Sequence, residues 1–345
     1  MLPIITGCAS TQLTEAEKKL FAAHPPAGFI LFRRNCESPA QIKALVKELK
    51  AISHDQCLIF IDQEGGRVAR LTPPHFPVFP AMKIFGDLYQ LQPEHAVRAA
   101  FLNGCLLGAM LHDLGITANC APVADLALAG YHDIIGDRGF GADVQQCAEL
   151  GRALAYGLLS AGILPVIKHI PGHGRAHADS HIELPEISEP LELLEQTDFA
   201  VFRQLADFPM AMAAHVRFLA VDNQPASTSH PVISGIIRDT MGFNGLLMAD
   251  DINMKALEGT LVMRALATLE AGCDVTLHCS GEFAEMAQIL PALPPITPEA
   301  AARWQKAVNY GKSFFLASAI TPETREAMLI ERDALLEKIN TIKAA

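Results

Sequence analysis

Short apolar runs alternate with amphipathic helical patterns along the whole chain, and this alternation limits the possible folds more than any other feature. Eight of the runs have the length and apolar character of buried strands. They span residues 3–6, 28–32, 58–61, 116–122, 163–168, 209–214, 245–249 and 273–278. Strand and helix repeated eight times predict an α/β fold of the (β/α)8 barrel type.

The helices between the strands have recognisable starting signals. Thr14 and Glu17 form a capping-box pattern ahead of a helix expected to run to about residue 24. Ser38 and Pro39 supply an N-cap and a first-turn proline for a helix over 39–52. Further helices are expected near 93–114, 143–161, 190–206, 231–241 and 260–271, with two more near 298–317 and 322–342.

The chain has 345 residues, whereas such barrels typically have roughly 250. Long loops and the two C-terminal helices account for the difference. No Ser/Gly/Pro-rich linker marks a boundary, so a single catalytic barrel domain is expected over residues 1–345. The alternative fold is a doubly wound open sheet, which is less favoured because no GxGxxG or GxxxxGK string follows a predicted strand.

Composition excludes several classes of partner. The net charge is −11 and no long run of Lys or Arg occurs, so nucleic acid is not an expected partner. No segment has the features of a signal peptide or a membrane span, and the eight cysteines form no CxxC pair. The sequence therefore predicts a soluble cytoplasmic protein, without a membrane partner and with a monomer as the default state.

The most polar loop reads KHIPGHGRAHADSH over residues 168–181 and follows the fifth predicted strand. Its proline and glycines exclude a regular element, and barrel enzymes carry their catalytic groups after the carboxyl ends of strands. Asp179 and His181 are two positions apart, so in an extended segment their side chains lie on the same side. The carboxylate can then orient the imidazole, which leaves one ring nitrogen for general acid/base catalysis.

Other charged residues also follow the ends of predicted strands, and we expect them to converge on one mouth of the barrel. Arg67 and Glu64 are also open to interpretation as a structural ion pair, and His215 as a buried, hydrogen-bonded core histidine. Asp250 is the stronger functional candidate because a carboxylate ending an apolar run costs desolvation energy unless it is partnered. The full set is Asp62, Glu64, Arg67, Arg70, Asp137, Arg138, Lys168, His169, His215, Asp250, Asp251 and His278.

Five strings carry a resemblance to a known family. They are ILFRRNCES (30–38), IDQEGGRVAR (61–70), IGDRGFG (135–141), KHIPGHG with the later DSH and LP (168–185), and MADDINM (248–254). In this order they resemble the family 3 glycoside hydrolases of bacteria. Within that family the likeness is to the cytoplasmic β-N-acetylglucosaminidases of peptidoglycan recycling.

The resemblance implies an activity and a set of residue roles. Asp250 would be the nucleophile that forms a covalent glycosyl-enzyme, and His181 the general acid and then the general base, with Asp179 as its partner. The choice of Asp250 over Asp251 rests on the family motif. The substrate would be N-acetylglucosaminyl-1,6-anhydro-N-acetylmuramyl peptides or chitooligosaccharides, and neither a cofactor nor a metal is implied. The residues implied to hold the terminal sugar are Asp62, Arg70, Arg138, Lys168 and His169.

Two other functional classes stay open at this point. A metal-dependent hydrolase would use the histidines and the aspartate of loop 169–181 as zinc ligands. A non-catalytic sugar-binding barrel would keep Asp62 and Arg70 but would need neither Asp250 nor the Asp179–His181 pair. The presence of both of these features favours the enzyme.

Overall fold

The predicted strands lie in one parallel sheet that curls into a barrel. The computed structural model describes residues 1–178, 180, 183–314 and 320–343. The strands are β1 (Leu2–Thr6), β2 (Pro26–Leu31), β3 (Leu58–Ile61), β4 (Ala118–Asn119), β5 (Leu164–Pro165), β6 (Ile167–Ile170), β7 (Glu186–Ile187), β8 (Met210–Ala213), β9 (Arg217–Phe218), β10 (Leu246–Asp251) and β11 (Val275–His278).

The barrel closes through its fifth strand. The order in the sheet is β5-β4-β3-β2-β1-β11-β10-β8-β6, and its pairs are parallel. The two strands at the ends of this order, β5 and β6, are consecutive pieces of one predicted strand, separated by Val166. Pro165 has no N–H for a ladder, and Val166 donates instead to the carbonyl of Asn119 at 3.0 Å. The (β/α)8 prediction is confirmed, with the fifth strand interrupted.

Helices surround the sheet. They are α1 (Glu15–Ala23), α2 (Pro39–Ile52), α3 (Met82–Tyr89), α4 (Pro93–Asp113), α5 (Val144–Ser160), α6 (Leu191–Gln196), α7 (Asp198–Gln204), α8 (Leu261–Ala271), α9 (Phe283–Ile289), α10 (Pro298–Phe314) and α11 (Pro322–Lys343), with a helix of π-type hydrogen bonding over Pro231–Thr240. In the described part of the chain, no helix is both long and apolar enough to cross a membrane.

The predicted starting signals of the first two helices are confirmed. The Thr14 hydroxyl accepts the N–H of Glu17, and the Glu17 carboxylate accepts the N–H of Thr14. The Ser38 hydroxyl accepts the N–H of Gln41 at the start of α2. The helix expected over 190–206 is instead two, because the backbone of Thr197 is not helical.

Short elements escaped the sequence pattern. The helices α3 and α9 and the two-residue strands β7 and β9 were not predicted, because periodicity needs a window of about eleven residues or more. The long barrel strands were predicted because parallel strands are buried on both faces and read as continuous apolar runs. Every residue of β2 and of β3 is buried.

Candidate active site

A cavity of 360 Å³ opens at the carboxyl ends of the barrel strands. Phe32, which follows β2, and Met212 of β8 also line it. The structure brings six of the site residues predicted from the sequence together around this cavity: Asp62, Arg70, Arg138, Lys168, His169 and Asp250. The other two predicted site residues, Asp179 and His181, lie outside the described residues.

Five of the lining side chains form a buried network that we call the charge cluster, made up of Asp62, Glu64, Arg70, Arg138 and Lys168. Lys168 Nζ lies 3.0 Å from Asp62 Oδ1 and 2.7 Å from Glu64 Oε1. Arg138 donates to both carboxylate oxygens of Glu64, at 2.9 Å each. Arg70 Nη2 donates to Asp62 Oδ2 at 3.2 Å. The structural ion pair considered for Glu64 from the sequence is therefore present, and Glu64 pairs with both Arg138 and Lys168.

The charge cluster keeps its members ionised. Burial alone would raise the pKa of the Asp62 carboxyl, but Lys168 and Arg70 outweigh burial and hold that pKa well below its usual value. Lys168 and Arg138 lower the pKa of Glu64 in the same way, against burial. The result is a fixed set of charged donors and acceptors, which suits the hydroxyl groups of a sugar.

Asp125 orients two histidines of the loop, and the sequence analysis did not identify it. Its Oδ2 accepts the Nδ1–H of His169 at 2.6 Å, and its Oδ1 accepts the backbone N–H of His173 at 2.8 Å. With Nδ1 committed to Asp125, Nε2 is the His169 nitrogen left for a ligand. The available signal was position alone, since Asp125 follows the fourth strand by six residues.

Asp250 stands apart from the other carboxylates of the cavity. Its Oδ1 accepts the backbone N–H of Asp251 at 2.8 Å. Burial raises the pKa of the Asp250 carboxyl, but His169 and His215 outweigh burial and hold that pKa below its usual value. Within the described residues no Lys, Arg or His makes an ion pair with it. The lowered pKa makes Asp250 an ionised carboxylate near neutral pH, and it lines the cavity.

Asp251 and His215 secure the end of β10 that carries Asp250. The Asp251 carboxylate accepts the backbone N–H of Asn253 at 3.0 Å and that of Cys279 at 3.1 Å. Burial raises the pKa of Asp251 to about 6. His215 bonds to the Asp251 carbonyl at 3.1 Å and to the Ser227 hydroxyl at 2.6 Å. His215 is thus the buried, hydrogen-bonded histidine of the structural interpretation.

Two residues predicted to lie at the mouth of the barrel, His278 and Asp137, do not line the catalytic cavity. The prediction that His278 joins the mouth is wrong, because its ring contacts the Thr6 hydroxyl at 3.2 Å and Glu285 at 2.9 Å and does not line the cavity. Asp137 forms a half-exposed ion pair with Arg67 at 2.7 Å. Arg67 lines both this cavity and a neighbouring one of 890 Å³.

The described residues contain no group of three or more His, Cys, Asp or Glu side chains placed to hold a metal ion. Two of the ligands that the metal interpretation would use, Asp179 and His181, are not among the described residues.

Comparison with known proteins assigns the chain to a family. Residues 5–303 match the N-terminal domain of glycosyl hydrolase family 3. The chain belongs to this family. It is therefore a glycoside hydrolase, as the sequence resemblance predicted.

Relatives and solved structures agree with this assignment. A β-hexosaminidase of Bordetella avium is 38% identical over 282 residues, which are 81% of this chain and 80% of the relative. A β-hexosaminidase of Chromobacterium violaceum is 36% identical over 88% of this chain and 86% of its own length. The crystal structure of NagZ from Neisseria gonorrhoeae in complex with N-trifluoroacetyl-D-glucosamine is 33% identical, with a TM-score of 0.86 over 97% of this chain and 98% of that one.

The charge cluster predicts how stability depends on pH. A carboxyl whose pKa is lower in the folded state stabilises the fold above its unfolded pKa, and this contribution is lost as pH falls through the folded pKa. Asp62, Glu64 and Asp125 are all of this kind. We predict that the free energy of unfolding, measured by urea titration, declines steeply below about pH 4.5, the ordinary range of these groups.

The variant Glu64→Gln isolates the contribution of the charge cluster. It leaves Arg138 and Lys168 buried with one carboxylate fewer, and we expect a loss of about 3–5 kcal/mol at pH 7 and a shallower decline in acid. The control is Asp87→Asn, which removes an exposed partner of Lys83 and should cost less than about 1 kcal/mol. Equal costs for the two variants would contradict this account of the charge cluster.

Proposed function

We propose that this glycoside hydrolase is a retaining exo-β-N-acetylglucosaminidase that removes terminal N-acetylglucosamine from peptidoglycan fragments. N-acetylglucosaminyl-1,6-anhydro-N-acetylmuramyl peptides are the proposed natural substrates. The acetamido-sugar specificity agrees with the β-hexosaminidase relatives and with the NagZ structure. The observation that carries the mechanism is Asp250, an ionised carboxylate that lines the cavity and whose second oxygen has no hydrogen-bond partner among the described residues.

The reaction uses Asp250 as the nucleophile. An Asp250 carboxylate oxygen bonds to the anomeric carbon while the glycosidic bond breaks and the leaving oxygen takes a proton from His181. Water then attacks the anomeric carbon, His181 accepts the proton of that water, and the carboxylate of Asp250 is released. Two displacements at one carbon retain its configuration. The backbone N–H of Asp251 holds Oδ1 throughout.

We infer that the acid/base group lies outside the described carboxylates of the cavity. Asp62 and Glu64 are ion-paired with lowered pKa values, so neither has a proton to donate near neutral pH. The Oδ1 of Asp251 is committed to two backbone N–H groups. We assign the role to His181 with Asp179 as its partner. Ser180, which separates them in sequence, lines the cavity and lies 3.0 Å from His173 Nε2.

The sugar-binding role is assigned to charged and imidazole groups on strand β6 and on the chain segments that follow β3 and β4. A volume of 360 Å³ is at the small end of ligand pockets, which suits a single sugar unit. Their fixed charges supply donors and acceptors to the ring hydroxyls and the acetamido group. The assigned residues are Asp62, Arg70, Arg138, Lys168 and His169.

The rest of the substrate would extend into the neighbouring cavity. This space of 890 Å³ shares Arg67 and Ile135 with the catalytic cavity and is large enough for a second sugar with its attached peptide.

Peptidoglycan recycling also requires a cytoplasmic enzyme. All eight cysteines are free thiols, which supports a reducing compartment.

Trapping the glycosyl-enzyme tests the nucleophile. Incubation with a 5-fluoro 2-acetamido aryl glycoside, followed by intact-mass analysis and peptide mapping, is expected to show one sugar adduct on Asp250. Asp250→Asn should lose the adduct and on the order of 10⁴-fold in turnover, whereas Asp251→Asn should still be labelled at Asp250. An adduct on Asp251, or substrate left intact by the wild-type enzyme, would refute the assignment.

Leaving-group dependence tests the acid. His181→Ala should lower kcat about 10²- to 10⁴-fold for alkyl glycosides, which need protonation. The loss should be much smaller for 2,4-dinitrophenyl glycosides, because their leaving group departs without a proton. The exposed histidine variant His75→Ala serves as the control and should match the wild type on both substrates. Equal losses for His181→Ala on both would exclude the acid role.

Substrate length tests the second cavity. Arg67→Ala should lower kcat/KM about tenfold for the disaccharide peptide and leave simple aryl N-acetylglucosaminides unchanged. Arg98→Ala is a matched control, because Arg98 pairs with Glu331 at 2.7 Å and is similarly half-exposed but lines neither cavity. A loss on both substrates would place Arg67 in the binding of the terminal sugar instead.

A further inference from the structure

The segment that precedes the proposed acid/base pair is anchored to the barrel. Asp125 accepts the backbone N–H of His173 at 2.8 Å. Arg175 is buried and donates from Nε to Asp198 at 2.6 Å. The carbonyl of Ala176 accepts the N–H of His132 at 2.9 Å. We call residues 173–178 the leading stem.

The segment that follows the pair is anchored elsewhere. Strand β7 pairs with β9 in a separate two-stranded sheet, with Glu186 opposite Arg217. The N–H of Arg217 also donates to the carbonyl of Pro185 at 2.9 Å. We call residues 185–189 the trailing stem. These anchors fix each stem, but none of them joins one stem to the other.

Tyr131 makes that connection, from a third loop that follows β4. Its ring lies against the ring of His177 in the leading stem, with centroids 4.9 Å apart. Its hydroxyl donates to Glu189 Oε1 in the trailing stem at 2.7 Å and accepts from Arg175 Nη1 at 3.3 Å. One side chain therefore contacts the chain both before and after the Asp179–His181 segment.

We infer that Tyr131, with Glu189 as its acceptor, is a positioning residue for the acid/base group, an inference that rests on the proposed function. His177 and Glu189 are twelve positions apart, and a connection of that length samples fewer arrangements when its ends are tied together. A catalytic group displaced by about 1 Å costs up to about 10²-fold in rate. The Tyr131 bridge thus restricts where a group between the stems can act.

The variant Tyr131→Phe tests the bridge because it keeps the ring against His177 and removes the hydroxyl. Aryl and alkyl N-acetylglucosaminides that differ only in the leaving group are the substrates, since they do not depend on the second cavity, which Tyr131 also lines. We expect kcat to fall about tenfold or more for alkyl glycosides, with KM and the rate on the 2,4-dinitrophenyl glycoside nearly unchanged.

Variants of the acceptor complete the test. Glu189→Gln keeps a carbonyl oxygen that can accept from the Tyr131 hydroxyl, and its rates should be close to those of the wild type. Glu189→Leu removes the acceptor and should show the same fall in kcat on alkyl glycosides as Tyr131→Phe. The double variant Tyr131→Phe/Glu189→Leu should lose no more than Tyr131→Phe alone, because that variant already removes the hydrogen bond to Glu189. Additive losses, or a Glu189→Gln variant as slow as Glu189→Leu, would overturn the inference.

The chain offers a matched control for stability. Tyr89 donates to Glu149 at the same distance of 2.7 Å, and neither residue lines the catalytic cavity. Tyr89→Phe should lower Tm by a similar amount and leave the leaving-group dependence unchanged. A change in that dependence for Tyr89→Phe would mean that general loosening of the fold, and not the bridge, produces the effect.

His181→Ala, measured in parallel, separates the two levels of the proposal. If this variant shows no leaving-group dependence, the proposed acid is wrong and the role of Tyr131 fails with it. If His181→Ala shows the dependence and Tyr131→Phe does not, the proposed function stands and the bridge has no positioning role.

Discussion

Lys168 donates to Asp62 and Glu64 at once, and the arrangement of the cavity depends on this double contact. Removing an ion from water costs several kcal/mol, and the attraction of a single partner rarely offsets that cost. Each buried charge therefore needs the others, and the segments that carry them must meet at the carboxyl ends of the strands. The charge cluster consequently fixes the loops that follow β3 and β4 against Lys168 of β6.

The same interactions separate the roles of the carboxylates. Asp62 and Glu64 are held ionised by cations, and Asp125 is committed to the loop histidines. Asp250 and Asp251 are adjacent and both line the cavity, but they have different hydrogen-bond partners. Burial raises the pKa of Asp251, whereas nearby histidines lower that of Asp250. Environment, and not residue type, distinguishes the candidate nucleophile.

The sequence predicted the strands and the convergence of their ends because both follow from local patterns. Buried parallel strands are continuous apolar runs, and a barrel brings their carboxyl ends together. It could not predict which side chain at a strand end turns inward, which is why His278 was wrongly included. Pairings such as that of Glu64 with Arg138 join residues 74 positions apart and depend on tertiary structure. Asp125 was missed for the same reason, and the Asp179–His181 pair stays a prediction.

Charge balance connects the cluster to the proposed chemistry. Two carboxylates and three cations leave the charge cluster with one excess positive charge. Asp125 acts on Arg138 and Asp250 on Lys168 as further anions near it. In the proposed mechanism, the covalent bond to the sugar removes the charge of Asp250 and with it one of these two anions. Hydrolysis of the intermediate restores the anion beside Lys168 and His169. In that mechanism, the cluster to which we assign the sugar hydroxyls also favours the second displacement, so that the proposed binding and turnover depend on the same charges.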